Sequence, residues 1–155
     1  VPDAIPGFMQ LEHYLRRFDA LPSYDGDGAA ESETIATLRG VIDRRRDLAA
    51  RFRSRDRLIH ADCKVNNLLF APQDARVVGV LDLDTVMFGH WAWDAGDLIR
   101  SACAAPDGIA LDRFEAVVRG MRAAAAIDAD PHDWVLAPCY VTLMLAIRFL
   151  TDHLE

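Results

Sequence analysis

Residues 60–70 read HADCKVNNLLF, and the reading of this stretch decides the fold. Between His60 and Asn67 it places an imidazole, a carboxylate, an ammonium and two amides, and then it runs straight into apolar residues. Loops that merely solvate themselves use Gly, Ser, Pro and mixed charge, and they seldom sit between hydrophobic runs such as RLI (57–59) and LLF (68–70). A connection this polar between two short apolar segments implies side chains held in place for chemistry.

Outward from it, the hydrophobic period changes twice. RLIHA, NNLLFA and RVVGVLDL are short, aliphatic or β-branched, and separated by turn material such as PQDA, which predicts three short strands between Leu58 and Leu83. Val77, Val78, Val80, Leu81 and Leu83 are apolar on both faces of the third, so that strand is expected to be buried on both sides. It ends in LDLDT (81–85), and an ionised carboxylate at the end of a buried strand is costly unless a cation compensates it. Residues i and i+2 of a strand share a face about 6–7 Å apart. Asp82 and Asp84 are therefore expected to look into one site, a metal-holding geometry.

Helical spacing flanks these strands. Phe8, Leu11, Leu15 and Phe18 recur at that spacing and stop at Leu21-Pro22, after which SYDGDGAAES (23–32) reads as a loop. Ile35, Leu38, Val41, Ile42 and Leu48 make one apolar stripe on a helix from about Glu31 to Phe52. Further helices are expected at about Trp93–Ala104, at Leu111–Ile127 with an Asp112/Glu115 capping box, and at Asp133–Leu154. The fold class is α+β, mainly helical, with a small sheet between helices in a single domain.

His60, Asp62, Lys64 and Asn67 fit the H-x-D-x-K-x-x-N catalytic loop of protein-kinase-like phosphotransferases, and Asp82, 15 positions after Asn67, falls where those enzymes carry a metal-binding Asp. Phosphoryl transfer needs a carboxylate to take the acceptor hydroxyl's proton and hard oxygen ligands for Mg²⁺ on the nucleotide phosphates. Asp62 suits the first role and Asn67 and Asp82 the second. Lys64 can neutralise the transferred phosphoryl group, and Asp84 is a further metal ligand or a substrate contact. With IPGF, GVLDLDTVMFGHWAWDAGDLIR and RFLTDHLE, the loop resembles the aminoglycoside phosphotransferase and choline kinase superfamily, and most of all the N-acetylhexosamine 1-kinases.

That resemblance implies a protein-kinase-like C-terminal lobe, residues 1–155, whose small sheet or hairpin carries the catalytic loop and the metal-site Asp. It implies Mg²⁺, ATP as co-substrate, and a sugar acceptor phosphorylated at its anomeric hydroxyl, or an amino alcohol or antibiotic in its place. No Gly-rich loop with a strand lysine precedes the catalytic loop here, so a missing N-terminal nucleotide-covering lobe, an inactive isolated chain and self-association through the uncovered surface are expected. His60 is expected to be structural, closing a strand. Asp94 and Asp97 sit early in a helix, where the macrodipole favours carboxylates: Asp94 caps and packs there, or it positions the loop or meets substrate, and Asp97 caps or pairs with Arg100, which sits on the structural or substrate side. His90, Trp91 and Trp93 line a sugar pocket or are simply buried. Ala61 and Cys63 stand where the resemblance leads one to expect Asn and Thr, and Phe88 where it leads one to expect Pro.

Composition excludes other classes. A net charge of −7, with no basic cluster beyond Arg44–Arg46, does not make a nucleic-acid footprint. Cys63, Cys103 and Cys139 are odd in number and far apart, which suggests neither a disulfide framework nor a zinc site, and a cytoplasmic protein is the expectation. The longest apolar run, Trp134–Ile147, contains Pro138 and is too short to span a bilayer, so a buried helix and no membrane partner are expected. Two other readings stay open. D-x-D also holds a metal in nucleotide-sugar glycosyltransferases, although that leaves the Asp62/Lys64/Asn67 spacing unexplained, and the chain can be a non-catalytic, pseudokinase-like binding domain.

Overall fold

The computed structural model describes residues 3, 5–22 and 28–155. Among the described residues, six α-helices and three two-stranded antiparallel ladders make a mostly helical α+β arrangement. The core pair is α4 (Trp91–Ala102) against α6 (Pro131–Leu154). Their approach depends on Gly96, where a Cβ would lie 2.3 Å from the Ala137 carbonyl oxygen. Only a residue without a side chain lets the two backbones meet so closely. Ala137 and Val141 lie against Gly96, and Ile99 and Ile147 are fully buried in the same core.

Helix α6 starts with Asp130, whose carboxylate accepts from the His132 amide at 2.8 Å, followed by Pro131 in the first turn, where no amide donor is needed. The expected start at Asp133 is therefore two residues late. At 24 residues α6 is long and apolar enough, by length and composition, to cross a bilayer, which the shorter run at 134–147 did not suggest. One of its faces is nevertheless packed on α4 and on α1 (Leu11–Asp19). Tyr140 ties α6 to the start of α1: its hydroxyl accepts from Leu11 N and donates to Met9 O, each at 2.9 Å. Burial pushes this phenol up to about 12, so it stays a donor at ordinary pH.

The helix expected over 31–52 is two helices, α2 (Ala29–Asp43) and α3 (Leu48–Arg51), parted by a turn at 44–47. Ile35, Ile42 and Leu48 are buried but Leu38 and Val41 are exposed, so the apolar stripe covers a narrower face than its composition suggested. Of the predicted loop 23–32, residues 23–27 lie outside the described residues, and from Ala29 the chain is already helical. Helix α5 (Leu111–Ala125) begins after Ala110 with no side-chain cap, so the Asp112/Glu115 capping box does not form.

The three expected strands are present as β1 (Arg57–Ile59), β2 (Leu68–Phe70) and β3 (Val77–Val80). A fourth, β4 (Met87–Gly89), was not expected; it pairs with β1, Ile59 opposite Met87 and Arg57 opposite Gly89. A last small ladder joins β5 (Ala104–Ala105) to β6 (Gly108–Ile109). The hairpin β2–β3 pairs Leu68 with Val80. Its burial on both sides is not observed: Val77, Val78, Val80, Leu81 and Leu83 are all exposed, Val78 by 54% and Leu83 by 58%. The apolar residues are there, but among the described residues no layer covers them.

Candidate phosphoryl-transfer site

Two ladders and two connections build the site. The chain leaves β1, crosses residues 60–67 and enters β2; it then leaves β3, crosses residues 81–86 and enters β4 beside β1. Because β1 pairs with β4 and β2 with β3, the two crossings lie side by side. Three hydrogen bonds fasten them: His60 Nε2 to Leu81 O at 2.8 Å, Thr85 Oγ1 to His60 O at 2.8 Å, and Leu81 N to Asn67 O at 2.8 Å. The Asp62 amide donates to His60 Nδ1 at 3.3 Å, so the neutral ring protonated at Nε2 satisfies both contacts. His60 thus fastens the first crossing to the second through its ring and its carbonyl oxygen.

Within the first crossing, Asp62 Oδ2 accepts from Lys64 Nζ at 2.7 Å and from Asn67 Nδ2 at 2.9 Å, and Asn67 Nδ2 also donates to Asp62 O. Oδ1 of Asp62 takes none of the hydrogen bonds among the described residues. Partial burial tends to raise this carboxyl, but the Lys64 ammonium and the Asn67 amide outweigh it and hold it below the usual carboxylate range. Lys64 is correspondingly raised, first by its bond to Asp62. It is the chain's one lysine beside 16 arginines, a compact, rotatable ammonium where a planar fork would be less adaptable.

Asp94, in the first turn of α4, reaches back to the loop. Its Oδ2 accepts from His60 N and its Oδ1 from Ala61 N, each at 2.8 Å. Ala61 has φ +65°, a left-handed conformation that costs an alanine roughly 1 kcal/mol. The carboxylate holding two successive amides is what fixes that strained entry to the loop. Burial raises the Asp94 carboxyl above its ordinary value and the two amides partly oppose this. Deeper along α4, Asp97 is buried and accepts from Arg100 Nη2 at 2.7 Å and Nε at 3.2 Å, the expected i, i+3 pair. Ser101 Oγ accepts from Val65 N at 3.2 Å and so supports the loop from the end of the same helix.

Asp82 and Asp84 are not arranged as expected. The strand stops at Val80; Asp82 is exposed in the left-handed region (φ +60°, ψ +56°), and Asp84 lies in a 3-10 turn, Leu83–Thr85. The same-face strand geometry does not apply, and neither does the argument that a buried Asp82 demands a cation. What the structure gives is adjacency: Leu81 is bonded to Asn67, so Asp82 begins one residue from the amide side chain at the mouth of the hairpin. Among the described residues no cluster of three or more His, Cys, Asp or Glu side chains forms a metal cage.

The remaining candidates are accounted for by packing. Trp93 is buried and donates from Nε1 to Phe52 O at 3.1 Å, Trp91 packs on Trp134, and His90 caps α4 by accepting from Ala92 N at 3.1 Å. Cys63 is pushed up to about 12, by burial first and then by the Asp94, Asp97 and Asp62 carboxylates, and a thiol so protonated is a poor nucleophile. Thr85 and Ser101 were missed; each is a lone hydroxyl, which carries no pattern until its backbone partner is known.

The class that emerges from the fold and its family is a kinase-type phosphotransferase with a small-molecule substrate. A model of the phosphotransferase enzyme family, APH, matches residues 1–127, and the chain belongs to that family. The match covers α1 to α5 and both crossings, and it ends before α6.

Proposed function

We propose that residues 60–67 and 82 form the phosphoryl-transfer site of an ATP- and Mg²⁺-dependent kinase that acts on a sugar of the N-acetylhexosamine type at its anomeric hydroxyl. The observation that carries the transfer is the division of labour on Asp62: Lys64 and Asn67 occupy Oδ2 and leave Oδ1 open to an acceptor hydroxyl. A carboxylate held low in pKa is ionised at neutral pH, and it takes the hydroxyl's proton as the oxygen bonds to phosphorus. Lys64, already beside that carboxylate, balances charge on the phosphoryl oxygens. The choice of a sugar rests on the sequence resemblance.

The donor set suits Mg²⁺. Asn67 commits its side-chain nitrogen to Asp62, its side-chain oxygen has no hydrogen-bond partner among the described residues and can meet a cation, and Asp82 and Asp84 add exposed carboxylates, all hard oxygens. When bound, the ion would screen the nucleotide phosphates. The left-handed backbone of Asp82 supports this reading, since such conformations concentrate at functional sites. These residues include no glycine-rich phosphate cover, which a kinase-like clamp requires. The open apolar face of β2–β3 is accordingly proposed to meet another lobe or a second copy of the chain.

Phosphorus NMR of the natural protein with ATP, Mg²⁺ and N-acetylhexosamines, choline, homoserine or an aminoglycoside tests the proposal. An anomeric sugar phosphate is expected. Phosphorylation of choline, homoserine or the aminoglycoside alone would move the acceptor and keep the site. Consumption of a UDP-sugar, with no phosphoryl transfer from ATP, would remove the kinase reading.

A further inference from the structure

A cleft of about 430 Å³ lies between the turn after α2, the β5–β6 hairpin and α6. Val41, Leu48, Ile109 and Leu143 form its apolar walls, and Arg45 and Arg100 stand among them. None of Asp62, Lys64, Asn67 or Asp82 lines it. Its volume is in the range of small-molecule pockets, about 300–1,000 Å³.

The two arginines set it apart. The chain is acidic, with a net charge of −7, and many of its guanidiniums are paired: Arg46 with Asp19 and Asp43, Arg17 with Asp152 and Glu155, Arg51 with Asp133. The Arg45 side chain makes no ion pair or hydrogen bond among the described residues; only its backbone does, with Ile42 and Leu48. Arg100 spends Nε and Nη2 on Asp97, which pins the side chain and leaves Nη1 uncommitted. An uncompensated guanidinium at a wall of Leu, Val and Ile discriminates in two ways at once. It favours an anion, by charge-assisted hydrogen bonds, and the walls favour an anion that brings an apolar body.

We propose that this cleft is a second ligand site, distinct from the phosphoryl-transfer site, and that it takes an amphipathic organic anion: a carboxylate head against Arg45 and Arg100 with an aliphatic or aromatic body along Ile109 and Leu143. A phosphate monoester of the same body has the same chemistry. The proposal needs nothing from the phosphotransferase reading and is tested without nucleotide.

Calorimetric titration of the chain with octanoate, octyl phosphate, octanol and octylamine, all below their micelle concentrations, reads it directly. Saturable one-site binding of octanoate and octyl phosphate is expected, with octanol and octylamine at least tenfold weaker. Inorganic phosphate should also bind at least tenfold more weakly than octyl phosphate. Arg45→Gln, a surface change that breaks no ion pair, is expected to weaken octanoate at least about tenfold, the low end of what a hydrogen bond to a charged group contributes, and Arg45→Lys to restore most of it. Ala146→Trp, which fills the cleft from α6, is expected to abolish binding while circular dichroism stays unchanged. Equal affinity for octanol and octanoate, octanoate binding indifferent to both Arg45→Gln and Ala146→Trp, or no saturable binding of either anion would overturn the proposal.

Discussion

Removing the Asp94 carboxylate tests how the loop is held. Asp94 accepts two 2.8 Å hydrogen bonds, from His60 N and Ala61 N, in a half-buried position. Hydrogen bonds to a charged group contribute about 1.5–3 kcal/mol each, so the pair is worth roughly 3–6 kcal/mol. The burial that raises this carboxyl's pKa returns part of that, and Asp94→Ala is expected to cost about 2–4 kcal/mol. At about 2–4 °C per kcal/mol for a domain of this size, the melting temperature should fall by roughly 5–15 °C. Asp94→Asn keeps one acceptor but turns an NH₂ group toward the second amide, so it should fall between wild type and Ala. Urea unfolding followed by circular dichroism reads all three. A loss under about 0.5 kcal/mol for Asp94→Ala, the level of an ordinary surface change, would refute the claim that this side chain holds the left-handed entry to the loop.

Three further outcomes follow from other parts of the molecule. Gly96→Ala should destabilise the chain by about 1–3 kcal/mol, because its methyl group meets the Ala137 carbonyl; unchanged urea stability would show that α4 and α6 can separate freely. Burial lowers the folded-state pKa of His90 below 6.5, so the unfolded chain takes up its proton first and stability is lost as pH falls from about 6.5 through that lowered value. In melting curves between pH 5 and 8, wild type should lose more than His90→Asn, which keeps a capping acceptor without the titration; parallel curves would contradict this. Asp82→Ala should abolish Mg²⁺-dependent nucleotide binding by the natural protein, and unchanged Mg·ADP affinity by calorimetry would remove Asp82 from the metal site.

Where the sequence repeated a period over several turns, as in Leu11–Leu15–Phe18 or through α6, the element was legible and only its ends moved. The short strands β1 to β3 were legible from their bounding turns, whereas β4 was not. Strand β3 shows the limit of composition: Val77–Val78–Val80 predicts burial, but a side chain is buried only if something covers it, and that partner is not written in the strand. The candidate site was half legible. Spacing singled out His60, Asp62, Lys64, Asn67 and Asp82, and the structure joins the first four by hydrogen bonds within one loop. Strand geometry misplaced Asp82 and Asp84 because the strand already ends at Val80 and the backbone turns left-handed at Asp82, with φ +60°. Asp94 looked like a helix-start carboxylate, and only the fold shows that it reaches 34 residues back to the loop.

The central claim is that Asp62 is the carboxylate that accepts the hydroxyl proton, and ADP release by the natural protein with its acceptor tests it most directly, wild type against Asp62→Asn. Positioned general bases contribute about 10²- to 10⁴-fold, and the side chain's bonds to Lys64 and Asn67 lie in the loop rather than in the core. Turnover should therefore fall by that factor with an almost unchanged melting temperature. Near-normal turnover in Asp62→Asn would contradict the account at its centre.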